Sequence, residues 1–430
     1  METTLTQPAR WSLPTMISFR FFFVYFVFYI APFPLYWIPF TGVIVEPFNR
    51  LSFAATELLG KTLFGVAYIL PPASTGSGDT MHNYVQLVFV LLVAILGTTI
   101  WSVTDTRRNN YERLLFWFMI LLRYYLAVVM LSYGFSKIFR IQFPPLTIHH
   151  LTKSYGDSSP MNLLWTFMSY SGPYTIFTGV GEAVGGLLLF FRRTRLLGAL
   201  LIAVIMTHIV MLNLSYDVPV KLYSTHLLII SLLIMGPDMK RLLNLFILNK
   251  PVDAEPLRPL YTSQRTKWMY LIGKAFVVIY LVSQLLITSL DQRKSIAEYF
   301  ARVAPEESIN GQYDVETFVL NNDTLPAIQT DTRRWKGMMI NDKKIELQSM
   351  DGATAGWHFL GNVGYQRIVI HSPDLSTSGN FTFRSDSTRI VLDGMLNSDT
   401  LKIVARKKSS NQFLLVERGF HWVNEYPFNK

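Results

Sequence analysis

The chain has 430 residues and a mass of 49.4 kDa, is half hydrophobic and only 16% charged, and has a mean hydropathy of +0.28. Soluble globular chains carry roughly 25% charged residues, so an ordinary soluble enzyme and a disordered chain are both excluded. The absence of cysteine excludes disulfides, thiolate metal sites and a cysteine relay within the chain.

A spanning helix needs about 20 mostly apolar residues. Seven stretches meet that need, near 17–40, 84–105, 114–138, 173–191, 196–214, 220–237 and 269–290. The first is broken by Pro32 and Pro34 and is too long for a signal-peptide core, so it reads as a retained anchor. Between the first two, Leu51 to Leu70 is apolar but interrupted by Glu57 and Lys61, which predicts an interfacial amphipathic helix. The loop 139–172 holds His149, His150, Tyr155 and Trp165, and loops of that length are usually functional or capping.

The net charge of +10 follows membrane topology rather than nucleic acid. Residues 291–430 hold 17 basic and 17 acidic residues, so the whole excess lies beside the apolar runs. With seven spans, one side collects Arg10, Arg20, Arg107, Arg108, Arg113, Arg192, Arg193, Arg195, Lys240, Arg241, Lys250, Arg258, Arg265 and Lys267. The other collects Arg50, Lys61, Lys137, Arg140, Lys153 and Lys221. The basic side is cytoplasmic by the positive-inside rule, which puts the N-terminus in the cytoplasm and residues 291–430 outside.

From about residue 308 the pattern changes to short alternating runs: 313–320, 335–340, 344–348, 366–371, 380–384, 388–392, 400–405 and 412–417. Asn341-Asp342, Asp351-Gly352, Ser378-Gly379 and Asp393-Gly394 punctuate them. Eight strands at this spacing predict an antiparallel sandwich or barrel, taken here as an all-β sandwich-like extracytoplasmic domain. His358, His371 and His421 are scattered and lack a metal-ligand spacing, so no metal site is assigned.

Ionisable residues inside the bilayer are costly, at least ~2.5–3.5 kcal/mol for a charge near its centre, and chemistry is sought there. Arg123 and Glu182 lie at roughly mid-depth in the third and fourth spans, which predicts a buried ion pair. Thr178, Gly179, Gly185 and Gly186 share the Glu182 face, and the Gly181-x-x-x-Gly185 spacing favours close helix packing. A structural pair that fixes helix register is the equal alternative. Lys137 and Tyr133 end the third span on the Arg123 face, and His208 and His226 lie in the outer halves of the fifth and sixth spans. Two histidines and a glutamate at one depth would suit a metal or a proton relay. Asp217 and Lys221 share the outer rim. Taken singly, Lys137 and Lys221 read as snorkelling lysines, and each histidine as a hydrogen-bonded core residue.

Within 118–240 the chain reads Leu122-Arg123-Tyr124, Tyr133-Gly134-x-x-Lys137, Gly181-Glu182-x-x-Gly185-Gly186-Leu-Leu-Leu and Arg193-Thr-Arg-Leu-Leu-Gly198. This order resembles the DoxX family of four-span bacterial membrane proteins. The resemblance implies a bacterial inner-membrane location and a link to quinone-dependent oxidation or to redox partner complexes. The helix end Tyr133-Gly134-x-x-Lys137 beside an outer β domain is also similar to vitamin K-dependent carboxylases, whose pattern is Tyr-x-x-Gly-x-x-Lys and so differs in the place of the tyrosine. In that family a lysine placed comparably serves as base, which would make Lys137 the base here.

The resulting organisation is a membrane all-α bundle of about seven transmembrane helices followed by the β domain. Residues 1–111 form an N-terminal membrane region, 112–248 a DoxX-like core, 249–290 a cytoplasmic loop and last span, and 291–430 the periplasmic domain. The expected function is a component of a redox or quinone-linked membrane system. Arg123, Glu182, Lys137 and Tyr133 carry its chemistry, and His208, His226, Asp217 and Lys221 contact a cofactor, for which the resemblance implies a quinone. The alternatives are a non-catalytic scaffold or small-molecule permease with a partner-binding β domain, or a carboxylase-like enzyme. The expected partners are the lipid bilayer and a periplasmic or membrane protein.

Overall fold

The computed structural model describes residues 10–66, 76–153, 155–252, 263–303, 309–341, 344–362, 366–386 and 388–429. The end of the predicted interfacial helix (67–70), Arg258 and Asp342 lie outside them. The chain divides into two compact units. One comprises Met1–Phe143 with Gly172–Asp291, and the other Pro144–Ser171 with Gln292–Lys430.

The first unit is helical. Its elements are α1 (Leu13–Ile30), α2 (Gly42–Phe64), α3 (Met81–Thr104) and α4 (Glu112–Ile138). The short helices α5 (Ile148–Thr152) and α6 (Pro160–Tyr170) belong to the second unit. Then come α7 (Gly172–Leu189), α8 (Arg195–Ser215), α9 (Lys221–Met235), α10 (Met239–Phe246) and α11 (Gln264–Val303), which runs past Asp291. Starts and stops follow local chemistry. The Ser12 hydroxyl accepts from Thr15 N at 3.3 Å, with Pro14 in the first turn, and α1 ends at Ile30 ahead of Pro32 and Pro34. Thr80 and Asn83 form a capping box at the start of α3.

Among the described residues, six helical stretches are long and apolar enough to cross a membrane: Leu13–Trp37, Met81–Thr104, Glu112–Ile138, Arg195–Ser215, Lys221–Phe246 and Gln264–Tyr299. The seven-span reading is therefore corrected to six. The stretch predicted at 173–191 forms α7, whose five glycines (172, 179, 181, 185 and 186) and Glu182 dilute its apolar content. Those glycines serve packing instead. α2 begins nine residues before the predicted interfacial helix, and Glu46–Arg50 and Glu57–Lys61 pairs along it are spaced i, i+4. The loop helices α5 and α6 also differ from an open loop, and α5 packs against the first β-strand of its unit.

The second unit is a β-barrel, not a sandwich. β1 (Gly311–Leu320), β3 (Trp335–Asn341), β4 (Lys344–Ser349), β5 (Thr354–Asn362), β6 (Arg367–His371), β7 (Ser378–Ser385), β8 (Arg389–Leu396) and β9 (Asp399–Lys407) pair antiparallel in that order, and β1 also pairs with β9. That last pairing closes an eight-stranded barrel, while β2 (Asp323–Thr324) only extends the edge of β1. Alternation is the same in a sandwich and a barrel, so the closing pair is invisible in the sequence. Inward residues such as Phe318, Ile340, Leu347, Ile370, Phe381 and Ile403 are buried and fill the interior. The structure adds β5, which lies between the expected runs 344–348 and 366–371, and turns the predicted strand 412–417 into a short helix, α12 (Leu414–Glu417). His358 and His371, distant in sequence, stand opposite each other across β5 and β6.

Candidate functional site

The site is set by how closely α4 and α7 approach. A Cβ on Gly134 would fall 2.7 Å from the Gly179 carbonyl oxygen and 2.8 Å from Ala183 N. One on Gly186 would meet the Ala127 carbonyl at 2.9 Å. The helices run antiparallel, since Gly134 faces Gly179 while Arg123 reaches Leu189. On the other side of α7, Gly185 and Gly198 admit Ile202 and Leu188, so α7 is clasped between α4 and α8.

This register decides the partners of the buried charges. Lys137 lies one turn beyond Gly134, and Glu182 one turn beyond Gly179. Lys137 Nζ donates to Glu182 Oε1, with Lys137 7% and Glu182 1% exposed. Nζ also lies 5.9 Å from the centre of the Tyr133 ring. Glu182 Oε2 is buried and has no hydrogen-bond partner among the described residues.

The predicted Arg123–Glu182 pair is thus replaced. Antiparallel packing sets Arg123, in the first half of α4, level with the last turn of α7 instead of its middle. Its Nε and Nη2 donate to the Leu189 carbonyl at 3.1 and 2.7 Å, satisfying an end-of-helix acceptor.

His226 is buried on α9. Its Nδ1 lies 2.7 Å from the Leu222 carbonyl, which only accepts, so Nδ1 carries the proton and Nε2 accepts from the Tyr25 hydroxyl at 2.6 Å. The imidazole stacks on Tyr29 at 4.1 Å between ring centres. Nearby phenols continue the polar seam. The Tyr125 and Tyr223 hydroxyls are 3.3 Å apart, and the Tyr223 and Tyr133 rings are 6.4 Å apart. α1, α4 and α9 thus contribute five tyrosines and one histidine to a line that ends at Lys137. The sequence reading missed Tyr25, Tyr29, Tyr125 and Tyr223. Their signal was the recurrence of tyrosine inside spans, where a phenol needs a partner.

The other predicted residues lie apart. His208 is exposed on the outer face of α8, so His208, His226 and Glu182 do not converge. Among the described residues no group of three histidines, aspartates or glutamates could hold a metal ion. Asp217 and Lys221 pair at 2.7 Å on the rim. Beside them Asp79, unremarked in the sequence, accepts from the backbone N of Lys221 at 2.8 Å and of Leu222 at 2.9 Å, capping α9 from another segment. At the opposite end of the bundle, Asp238 is buried between Arg195 and Arg241. Arg20, counted above as a loop charge, is 3% exposed and bonds Tyr111, Ser102 and the Asp105 carbonyl.

No family model and no solved structure matches the chain. It is similar to a Bacillus subtilis (strain 168) protein described as "Uncharacterized protein YwoB", with 31% identity over 132 residues, which cover 31% of this chain and 83% of that protein. A helical membrane protein ending in a closed barrel, the chain belongs to the same family as YwoB.

Proposed function

We propose that the helical unit binds a quinol-class amphiphile and that Lys137 and Glu182 exchange protons with it. The observation that carries this reading is a buried ion pair, set by a glycine contact, in which one carboxylate oxygen is left without a partner. A bound quinone couple supplies two-electron chemistry coupled to protons. The chain's own groups match its polar ends. Glu182 Oε2 accepts from a hydroxyl, and Lys137 Nζ or the Tyr133 hydroxyl donates to a carbonyl oxygen. The Tyr125–Tyr223 and Tyr25–His226 pairs add further hydroxyls and an imidazole on the His226 side of the site. Lys137 Nζ is engaged by a carboxylate instead of being presented as an unpaired amine, and that favours proton exchange over the carboxylase-like role.

In this reading the barrel is extracytoplasmic. The barrel is a binding module, and the exposed Phe420, Trp422 and Tyr426 beyond α12 favour a protein or membrane partner for it.

Organic extraction of the full-length protein purified in mild detergent tests the quinol reading. Near-stoichiometric quinone by mass spectrometry, lost in Glu182→Gln, is the expected result. Absence of quinone from wild type, together with no uptake of an added short-chain naphthoquinone, would sink it.

A further inference from the structure

A second polar site lies at the other end of α4, away from Glu182. A cavity of about 340 Å³ opens there between α4, α11 and the turn after α7. Its volume falls within the ~300–1,000 Å³ of small-molecule sites. Phe116, Trp117 and Tyr124 form apolar walls, and Arg123, Arg192 and Lys274 supply three positive charges. Among the described residues no aspartate or glutamate lines it. Arg123 spends Nε and Nη2 on the Leu189 carbonyl, and Nη1 makes no hydrogen bond among the described residues. Lys274 is half-buried, with Nζ 5.1 Å from the centre of the Phe191 ring.

Cations gathered in an apolar, partly enclosed place repel one another and have lost water, so an anion stabilises them. We infer that this cavity holds the phosphate of an anionic membrane lipid, with Arg123 and Lys274 binding the phosphate and the aromatic walls receiving the acyl chains. Trp117, 64% exposed and flanked by Phe116 and Tyr124, gives the cavity an apolar mouth that opens off the bundle. A soluble phosphate would use the cations but not that wall. Basic pockets between membrane helices bind lipid headgroups in the same way.

The test uses the full chain in phosphatidylcholine nanodiscs with a photoactivatable phosphatidylglycerol as probe. Adducts are expected on peptides covering residues 116–124 and 269–277. Lys274→Gln should lower them about fivefold, the worth of one cation beside an anionic headgroup, and Lys274→Arg should restore them. Arg192→Gln provides a second variant on a different element, expected to lower labelling in the same direction. Equal labelling by a phosphatidylcholine probe, or labelling unchanged in both folded glutamine variants, overturns the inference. Displacement of the probe by excess inorganic phosphate also overturns it, assigning the site to a soluble anion.

Discussion

Gly134 on α4 and Gly179 on α7 occupy each other's space. An added Cβ on either would lie 2.7 Å from the other's carbonyl oxygen. The contact is reciprocal in its consequence too, because the residue three positions after each glycine is one half of the ion pair, Lys137 after Gly134 and Glu182 after Gly179. Two Gly-x-x-charge segments on antiparallel helices therefore build the site together.

Replacing either glycine by alanine should push the helices apart. The nearest atoms are backbone or the Cβ atoms fixed to it and cannot swing away, so Gly134→Ala or Gly179→Ala is expected to cost about 1–3 kcal/mol, the range for overpacking a tight interface. Thermal unfolding in detergent measures this. Gly273→Ala, where an added Cβ meets nothing within 4 Å, is the control and should leave the midpoint unchanged or raise it slightly through helix propensity.

Removing one partner of the ion pair leaves the other charge buried. Lys137→Met should destabilise the protein by roughly 3–5 kcal/mol. The double change Lys137→Met with Glu182→Gln should be markedly milder than the sum of the singles. Additive losses in the double-mutant cycle would show that the two residues are not coupled.

Tyr25→Phe removes the hydroxyl that Nε2 of His226 accepts from. Leaving that buried nitrogen unsatisfied is expected to cost about 1–3 kcal/mol. A second change, His226→Phe, should recover part of the loss, because both polar groups are then gone. Melting curves of the three variants decide it, and no recovery would mean that His226 has another role in holding α9.

The barrel's turns carry a pH dependence. Hydrogen bonds from the Ser372 hydroxyl and from Ser376 hold the Asp374 carboxyl down at about 2. Donors from Thr388 and Arg389 lower Asp386, and the backbone of Arg333 lowers Asp331. Carboxyls depressed on folding contribute stability that is present above their unfolded value near 3.9 and is lost as pH falls through the folded value. Amide-exchange protection in residues 366–407 of the full chain, corrected for intrinsic rates, should therefore fall between about pH 4 and pH 2. Asp374→Asn with Asp386→Asn should flatten that fall, and an unchanged profile would count against the turn carboxylates as its cause.

Much of this architecture is legible in the sequence, because membrane burial and strand alternation write themselves into composition. Six apolar runs and seven of the strands stand out that way. What escaped depends on how distant segments meet. Mid-depth placement suggested Arg123 for Glu182, but depth ignores direction, and the antiparallel register carries Lys137 to Glu182 and Arg123 to the Leu189 carbonyl. α7 read as a span because its apolar residues were counted without weighing the five glycines and Glu182 that dilute them. Barrel closure by β1 and β9 joins residues about ninety positions apart, beyond any local pattern. The tyrosine seam was missed because each phenol, taken singly, reads as an aromatic core residue.

The central claim, that Lys137 and Glu182 form a proton-exchanging site for a quinol, is tested most directly by binding. Titration of full-length protein in nanodiscs with a short-chain naphthoquinol should show saturable binding in wild type. Binding should weaken at least about tenfold in folded Glu182→Gln, a loss in keeping with a hydrogen bond to a charged group. Equal affinity in wild type and folded Glu182→Gln would contradict the account.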